Sequence, residues 1–139
     1  MNIAIVDDQT HFREGLKHIF SLNLLKSLSP SVSTFSSYEI ETLKKGPKPD
    51  FVLLDVTYKY QRTFPLISYF VNNNVSVVVF TNEVSKEVVM DCIRAGVKGY
   101  LLKSMNTKEI LSALAIIING GTYLHHFISG ILIDEYNKT

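Results

Sequence analysis

The chain has 139 residues, 46% hydrophobic and 11% aromatic, with 19% charged residues and a formal net charge of +1. That length suits one domain with a substantial core, and the balanced charge points neither to disorder nor to a general affinity for nucleic acid. The single cysteine, Cys92, cannot form an internal disulfide; the N-terminus carries Asp7 and Asp8 where a signal peptide would need an apolar core; and no apolar stretch nears the roughly 20 residues of a membrane-spanning helix. The expected location is therefore cytoplasmic, with no membrane partner.

The first predicted strand is NIAIV at 2–6, and it runs straight into two carboxylates. A Ser-rich segment, 27–37, contains a weaker run from Val32 to Phe35 whose polar neighbours suit an edge strand. FVLL at 51–54, VSVVVF at 75–80 and GYLL at 99–102 complete five predicted strands. Between them lie helical patterns. In one, Ser85 is placed to cap, Val89, Cys92 and Ile93 recur at helical spacing, and Gly96 ends the helix. A second amphipathic helix starts near Thr107, carries Ile110, Leu111, Leu114, Ile117 and Ile118, and stops at Gly120 and Gly121. Such alternation predicts an α/β fold of five parallel strands joined by right-handed crossovers, with five helices covering both faces.

In open sheets of this kind, ligands bind in the crevice outside the carboxyl ends of the strands. Asp7 and Asp8 end the first strand, Asp55 follows the third, Thr81 the fourth and Lys103 the fifth. Taken singly, each suits a duller role, as a helix cap or a solvated cation. Together they place three carboxylates, a hydroxyl and an ammonium along one edge. Crowded carboxylates raise a pKa or recruit a cation, and Mg²⁺ favours one or two carboxylates, waters and a phosphate oxygen. Asp7 and Asp8 would hold the metal, Asp55 would be both ligand and nucleophile toward a phosphoryl donor, and Thr81 and Lys103 would bind phosphoryl oxygens.

These residues resemble the receiver domains of bacterial two-component response regulators. IVDDQTHFREGL, FVLLDV, VVVFT and RAGVKGYLLK match in order and spacing, and GYLLK with a later GG and Tyr123-Leu124 is most similar to the NarL/FixJ (LuxR-type) subfamily. The resemblance implies a flavodoxin-like (CheY-like) doubly wound sheet of strand order 2-1-3-4-5. It makes Asp55 the phosphoacceptor, with Asp7, Asp8, Asp55 and the backbone carbonyl of Thr57 as Mg²⁺ ligands. Thr81 and Tyr100 become the switch pair, the ring filling space vacated when the hydroxyl moves toward the phosphoryl group. A sensor histidine kinase is the implied donor, a homodimer is a further implied partner, and DNA would be reached only through a C-terminal helix-turn-helix that the chain lacks.

The sequence departs from the family pattern after the acceptor, where Tyr58 and Lys59 stand in place of a Met-Pro pair within an unusual 57–63 loop. Asn82 is larger than the small residue expected after Thr81, and Ser104 replaces a frequent proline. Tyr58, Lys59 and Asn82 keep a second class open, a pseudo-receiver that binds partners without being phosphorylated. A third, a haloacid-dehalogenase-like phosphatase, requires an Asp two residues after its nucleophile, where Thr57 stands. Residues 1–121 are expected to form the receiver and 122–139 a tail, either an accessory helix or the start of a linker. Its adjacent His125 and His126, like His11 and His18, read as packing or surface residues.

Overall fold

Runs of Val, Ile and Leu stretch β1 (Asn2–Val6), β3 (Phe51–Leu54), β4 (Ser76–Thr81) and β5 (Gly99–Leu102) through the centre of the molecule. In the computed structural model, which describes residues 1–22, 30–56 and 60–138, these strands are buried on both faces. β2 (Ser31–Phe35) is only half-buried, and its serines face outward as an edge strand's polar residues do. All pairings are parallel, and the order is β2-β1-β3-β4-β5-β6.

The helices are α1 (Thr10–Phe20), α2 (Ile40–Lys45), α3 (Tyr60–Asn72), α4 (Lys86–Arg94), α5 (Thr107–Ile118) and α6 (His126–Asn137). Each of the longer ones turns an apolar stripe to the sheet, as with Leu16, Ile19 and Phe20 of α1 and Ile110, Leu114 and Ile117 of α5. Ser85 is the N-cap residue of α4, but its hydroxyl makes no capping bond. Its amide instead donates to the Glu83 carboxylate at 3.0 Å. The cap of α5 is Asn106, which forms a reciprocal capping box with Glu109. At the other end of α4, Gly96 takes φ +98 and donates to the Ile93 carbonyl, a left-handed turn that a side chain would strain.

Six strands stand where five were expected. The sixth, β6 (Tyr123–Leu124), is two residues long and pairs in parallel with Gly99 and Tyr100 of β5. The Tyr123 amide donates to the Lys98 carbonyl and the His125 amide to the Tyr100 carbonyl, both at 3.1 Å. β5 is consequently not an edge strand. Two residues cannot show a periodicity, so the sequence carried no signal for this strand. The tail helix expected beyond it is α6, which buries Ile128 completely and packs beside α4, with Lys86 and Glu135 paired at 2.6 Å. Gly130 faces open space within it. No helix among the described residues is long and apolar enough to cross a membrane.

Candidate functional site

The ladder hydrogen bonds continue one step past the strands and align the polar residues that follow them. The Asp7 amide donates to the Phe35 carbonyl, the Asp55 amide to Val6 and the Lys103 amide to Thr81, each at 3.0 Å. Asp7, Asp55, Thr81 and Lys103 thus sit side by side on four adjacent strands at one edge of the sheet. Their side chains converge. Thr81 Oγ1 donates to Asp55 Oδ1 at 2.7 Å, and Lys103 Nζ donates to Asp55 Oδ2 at 2.8 Å. Both oxygens of the central carboxylate are held, one by a group at the end of β4 and the other by a group just past β5.

Lys103 is the hub. Its ammonium also lies 2.7 Å from Asp7 Oδ2 and 2.9 Å from Gln9 Oε1, and the Phe12 ring covers it at 4.2 Å from the centroid. Its side chain is 1% exposed. A cation this deeply buried is tolerable because two carboxylates compensate it. Asp7 itself is buried, and its carboxyl holds a proton more tightly than an ordinary aspartate. Burial is the largest cause, opposed by Lys103 and the Gln9 amide, with the negative charge of Asp55 a smaller contribution. A raised carboxylate pKa was expected from crowding; the direction is as expected, and desolvation rather than repulsion leads it.

Asp8 points elsewhere. It is exposed, its two carboxylate oxygens accept hydrogen bonds from the Ser37 amide at 2.7 Å and the Ser37 hydroxyl at 2.8 Å, and Ser37 is itself buried. Consecutive residues of an extended chain face opposite sides, so Asp7 turns into the cluster and Asp8 toward β2. Ser37 was not singled out in the sequence, where it is one of several serines. Gln9 was missed as well, having nothing in its type to mark it. The backbone carbonyl of Thr57, and Tyr58 and Lys59, lie outside the described residues.

Tyr100 is fully buried, and its hydroxyl donates to the Glu83 carbonyl at 2.6 Å. The Glu83 amide in turn donates to Thr81 Oγ1 at 3.2 Å. The two expected switch residues are therefore joined through one intervening residue. Asn82 is exposed, and no cis peptide bond occurs among the described residues, so Lys103–Ser104 is trans. Cys92 is buried away from the cluster in α4, with a thiol pKa pushed up to about 12 chiefly by burial. It is packing, not chemistry.

Among the described residues no three acidic, histidine or cysteine side chains converge as a ready-made metal site. Two carboxylates do converge, however, and one oxygen of the pair, Asp7 Oδ2, is buried with an ion pair but no directed hydrogen bond. A hard divalent cation that takes one or two carboxylates and completes its shell with water fits that donor set. Asp8 would join it only by releasing Ser37.

The family described as the response regulator receiver domain matches residues 3–115. The chain belongs to this family. Similar curated proteins include the transcriptional regulatory protein DegU of Brevibacillus brevis, 28% identical over 99% of this chain and 58% of its own length. Another is the transcriptional regulatory protein YxjL of Bacillus subtilis, 27% identical over 97% of this chain and 62% of its own. The chain spans about three fifths of the length of these relatives. Among solved structures, a LuxR-family response regulator from Aurantimonas superposes with TM-score 0.79 at 21% identity, covering 97% of this chain and 96% of that one. The isolated receiver domain of RcsB from Salmonella enterica, solved with phosphomimetic BeF3⁻, gives 0.76 at 19%, covering 94% and 97%. These structures share the receiver fold, and the relatives are regulators of the NarL/LuxR type. Membership of a signalling family that works as a switch displaces the phosphatase reading of LLDVT.

Proposed function

We propose that this protein is a phosphoacceptor switch that takes a phosphoryl group from a sensor histidine kinase onto Asp55. The observation that carries this is the setting of Asp55, whose two oxygens are held by Thr81 and Lys103 in a buried cluster beside a second carboxylate. A carboxylate oxygen of Asp55 attacks phosphorus, the P–N bond to the donor imidazole breaks, and the leaving nitrogen takes a proton. Lys103 offsets the negative charge on the transferring group, and Thr81, released from Asp55 Oδ1, donates to a phosphoryl oxygen. Mg²⁺, held by Asp7 and Asp55, with Asp8 and the Thr57 carbonyl as the further proposed ligands, would neutralise charge on that group. Redistribution around Thr81 and Tyr100 would then change the surface that governs dimerisation or an output domain.

Similarity to transcriptional regulators supports control of transcription, with DNA contacted by a C-terminal domain outside this chain. One specific observation favours the pseudo-receiver instead: Asp8 is engaged by Ser37 rather than by the acidic cluster. Intact-mass measurement decides between them. The protein is incubated with Mg²⁺ and a small phosphodonor, beside the Asp55→Asn variant and a chelated control. One phosphoryl increment confined to the metal-containing parent is expected. Its absence, under conditions that label an ordinary receiver, would leave the interaction module.

A further inference from the structure

Lys103 is more fully partnered than a lysine awaiting a phosphoryl oxygen needs to be. An ammonium has three N–H donors. Here Asp55 at 2.8 Å and Gln9 at 2.9 Å accept hydrogen bonds from it, Asp7 Oδ2 is ion-paired with it at 2.7 Å, and the Phe12 ring closes a further direction. An entering phosphoryl oxygen has to displace one of these contacts. Two of the three partners are carboxylates, and giving one up breaks a charge-assisted contact. The Gln9 carboxamide is neutral and the weakest holder.

The backbone of Gln9 is fixed, and its side-chain contact with Lys103 is separate from the bonds that fix it. Its amide donates to Asp7 Oδ1 at 2.8 Å, and its carbonyl accepts from the Phe12 and Arg13 amides at 3.1 and 3.2 Å in the first turn of α1. The Arg13 guanidinium also donates to the Asp7 carbonyl, tying the same turn to the strand end. The side chain itself is half-buried and reaches across to β5.

We propose that the Gln9 carboxamide is a place-holder on Lys103 that occupies one donor of the ammonium and yields it to the phosphoryl oxygen. This rests on the phosphoacceptor reading of Asp55 and adds a positioning residue to it. Gln9 acts through Lys103, and its chemistry sets how readily the site accepts the phosphoryl group.

A charge series tests this. Gln9→Leu keeps the bulk and vacates the donor; Gln9→Glu replaces a neutral holder with an anionic one. Affinity for beryllofluoride in the presence of Mg²⁺ is expected to rise about fivefold in Gln9→Leu and to fall about tenfold or more in Gln9→Glu. A purely structural glutamine gives no such order, since both variants then weaken binding together; thermal unfolding of each variant checks folding. Gln9→Leu binding no tighter than the parent overturns the proposal. In the metal-free protein, exchange of the Lys103 Nζ protons with water, followed by ¹⁵N NMR, is expected to quicken about fivefold in Gln9→Leu; unchanged exchange also overturns it. If the parent binds no beryllofluoride, the phosphoacceptor reading fails, and the lysine exchange still decides whether Gln9 holds a donor of the ammonium.

Discussion

Replacing Lys103 with methionine keeps the length of the side chain and deletes the charge between two buried carboxylates. Asp7 and Asp55 are 2% and 8% exposed and each lies within 3 Å of the ammonium. They are thus no more than about 6 Å apart, and at an effective dielectric of about 20 two unit charges at that distance repel by about 3 kcal/mol. That agrees with the roughly 3–5 kcal/mol lost when one partner of a buried pair is removed. For a chain of this length, the loss lowers Tm by about 10 °C at neutral pH without metal. The pH dependence has a definite sign. Asp7 already binds its proton more tightly when folded, and loss of Lys103 strengthens this, so the penalty is present at neutral pH and shrinks as pH falls through the raised pKa. A divalent cation replaces the missing charge, so Mg²⁺ should raise the Tm of Lys103→Met more than that of the parent. Circular-dichroism melts from neutral to mildly acidic pH, with and without Mg²⁺, measure all three effects. A variant as stable as the parent at neutral pH without metal, or one that loses further stability on acidification, would refute the buried-triad reasoning.

Asp7→Asn removes a carboxyl whose ionised form is disfavoured by burial, so metal-free Tm is expected to rise at neutral pH and the difference to vanish in acid, while the Mg²⁺-dependent mass increment is lost; a lowered Tm counts against it. Tyr100→Phe keeps the buried ring but leaves the Glu83 carbonyl without its 2.6 Å donor, at a cost of about 1–2 kcal/mol in urea unfolding, and a neutral result would mean that water replaces the hydroxyl. Gly99→Ala places a Cβ 2.6 Å from Ile117 Cδ1 and 3.3 Å from the Tyr123 carbonyl, so the Ile117 side chain has to shift and β6 has to give slightly. About 1–3 kcal/mol is expected, with faster hydrogen exchange at the Tyr123 amide, and unchanged protection there would show that Ile117 alone gives way.

The residues that the sequence made legible are those fixed by strand direction. Once NIAIV, FVLL, VSVVVF and GYLL are read as parallel strands, Asp7, Asp55, Thr81 and Lys103 must share an edge, and they do. What the sequence concealed depends on side-chain choice or on distant partners. Asp8 is chemically identical to Asp7 but one residue further along, and the half-turn between them sends it to Ser37, 29 residues away. Three crowded carboxylates were expected to raise at least one pKa or recruit a cation, and the raised one is Asp7. With Lys103 compensating them and Asp8 turned away, burial is left as the leading cause. Gln9 and the two-residue β6 carry no pattern that spacing could reveal.

Under the proposed function, the same contacts supply a physical connection from acceptor to tail. Asp55 accepts from Thr81, Thr81 accepts from the Glu83 amide, the Glu83 carbonyl accepts from Tyr100, and the Tyr100 carbonyl accepts from His125 at the start of α6. Adjacency alone transmits nothing; a signal requires two arrangements of these groups and a phosphoryl group that binds one of them better. The link with that property is Thr81, since its hydroxyl has a single proton to donate. It goes either to the Asp55 carboxylate, as here, or to a phosphoryl oxygen, and the Glu83 amide bonded to Thr81 must adjust when the hydroxyl turns. Tyr100 meets that adjustment through its hydroxyl on Glu83, and its own carbonyl anchors His125. Lys86 at the start of α4, paired with Glu135 of α6, gives the tail a second tether on the same side. The C-terminal helix is therefore attached to the elements on which a change at Asp55 would first be felt.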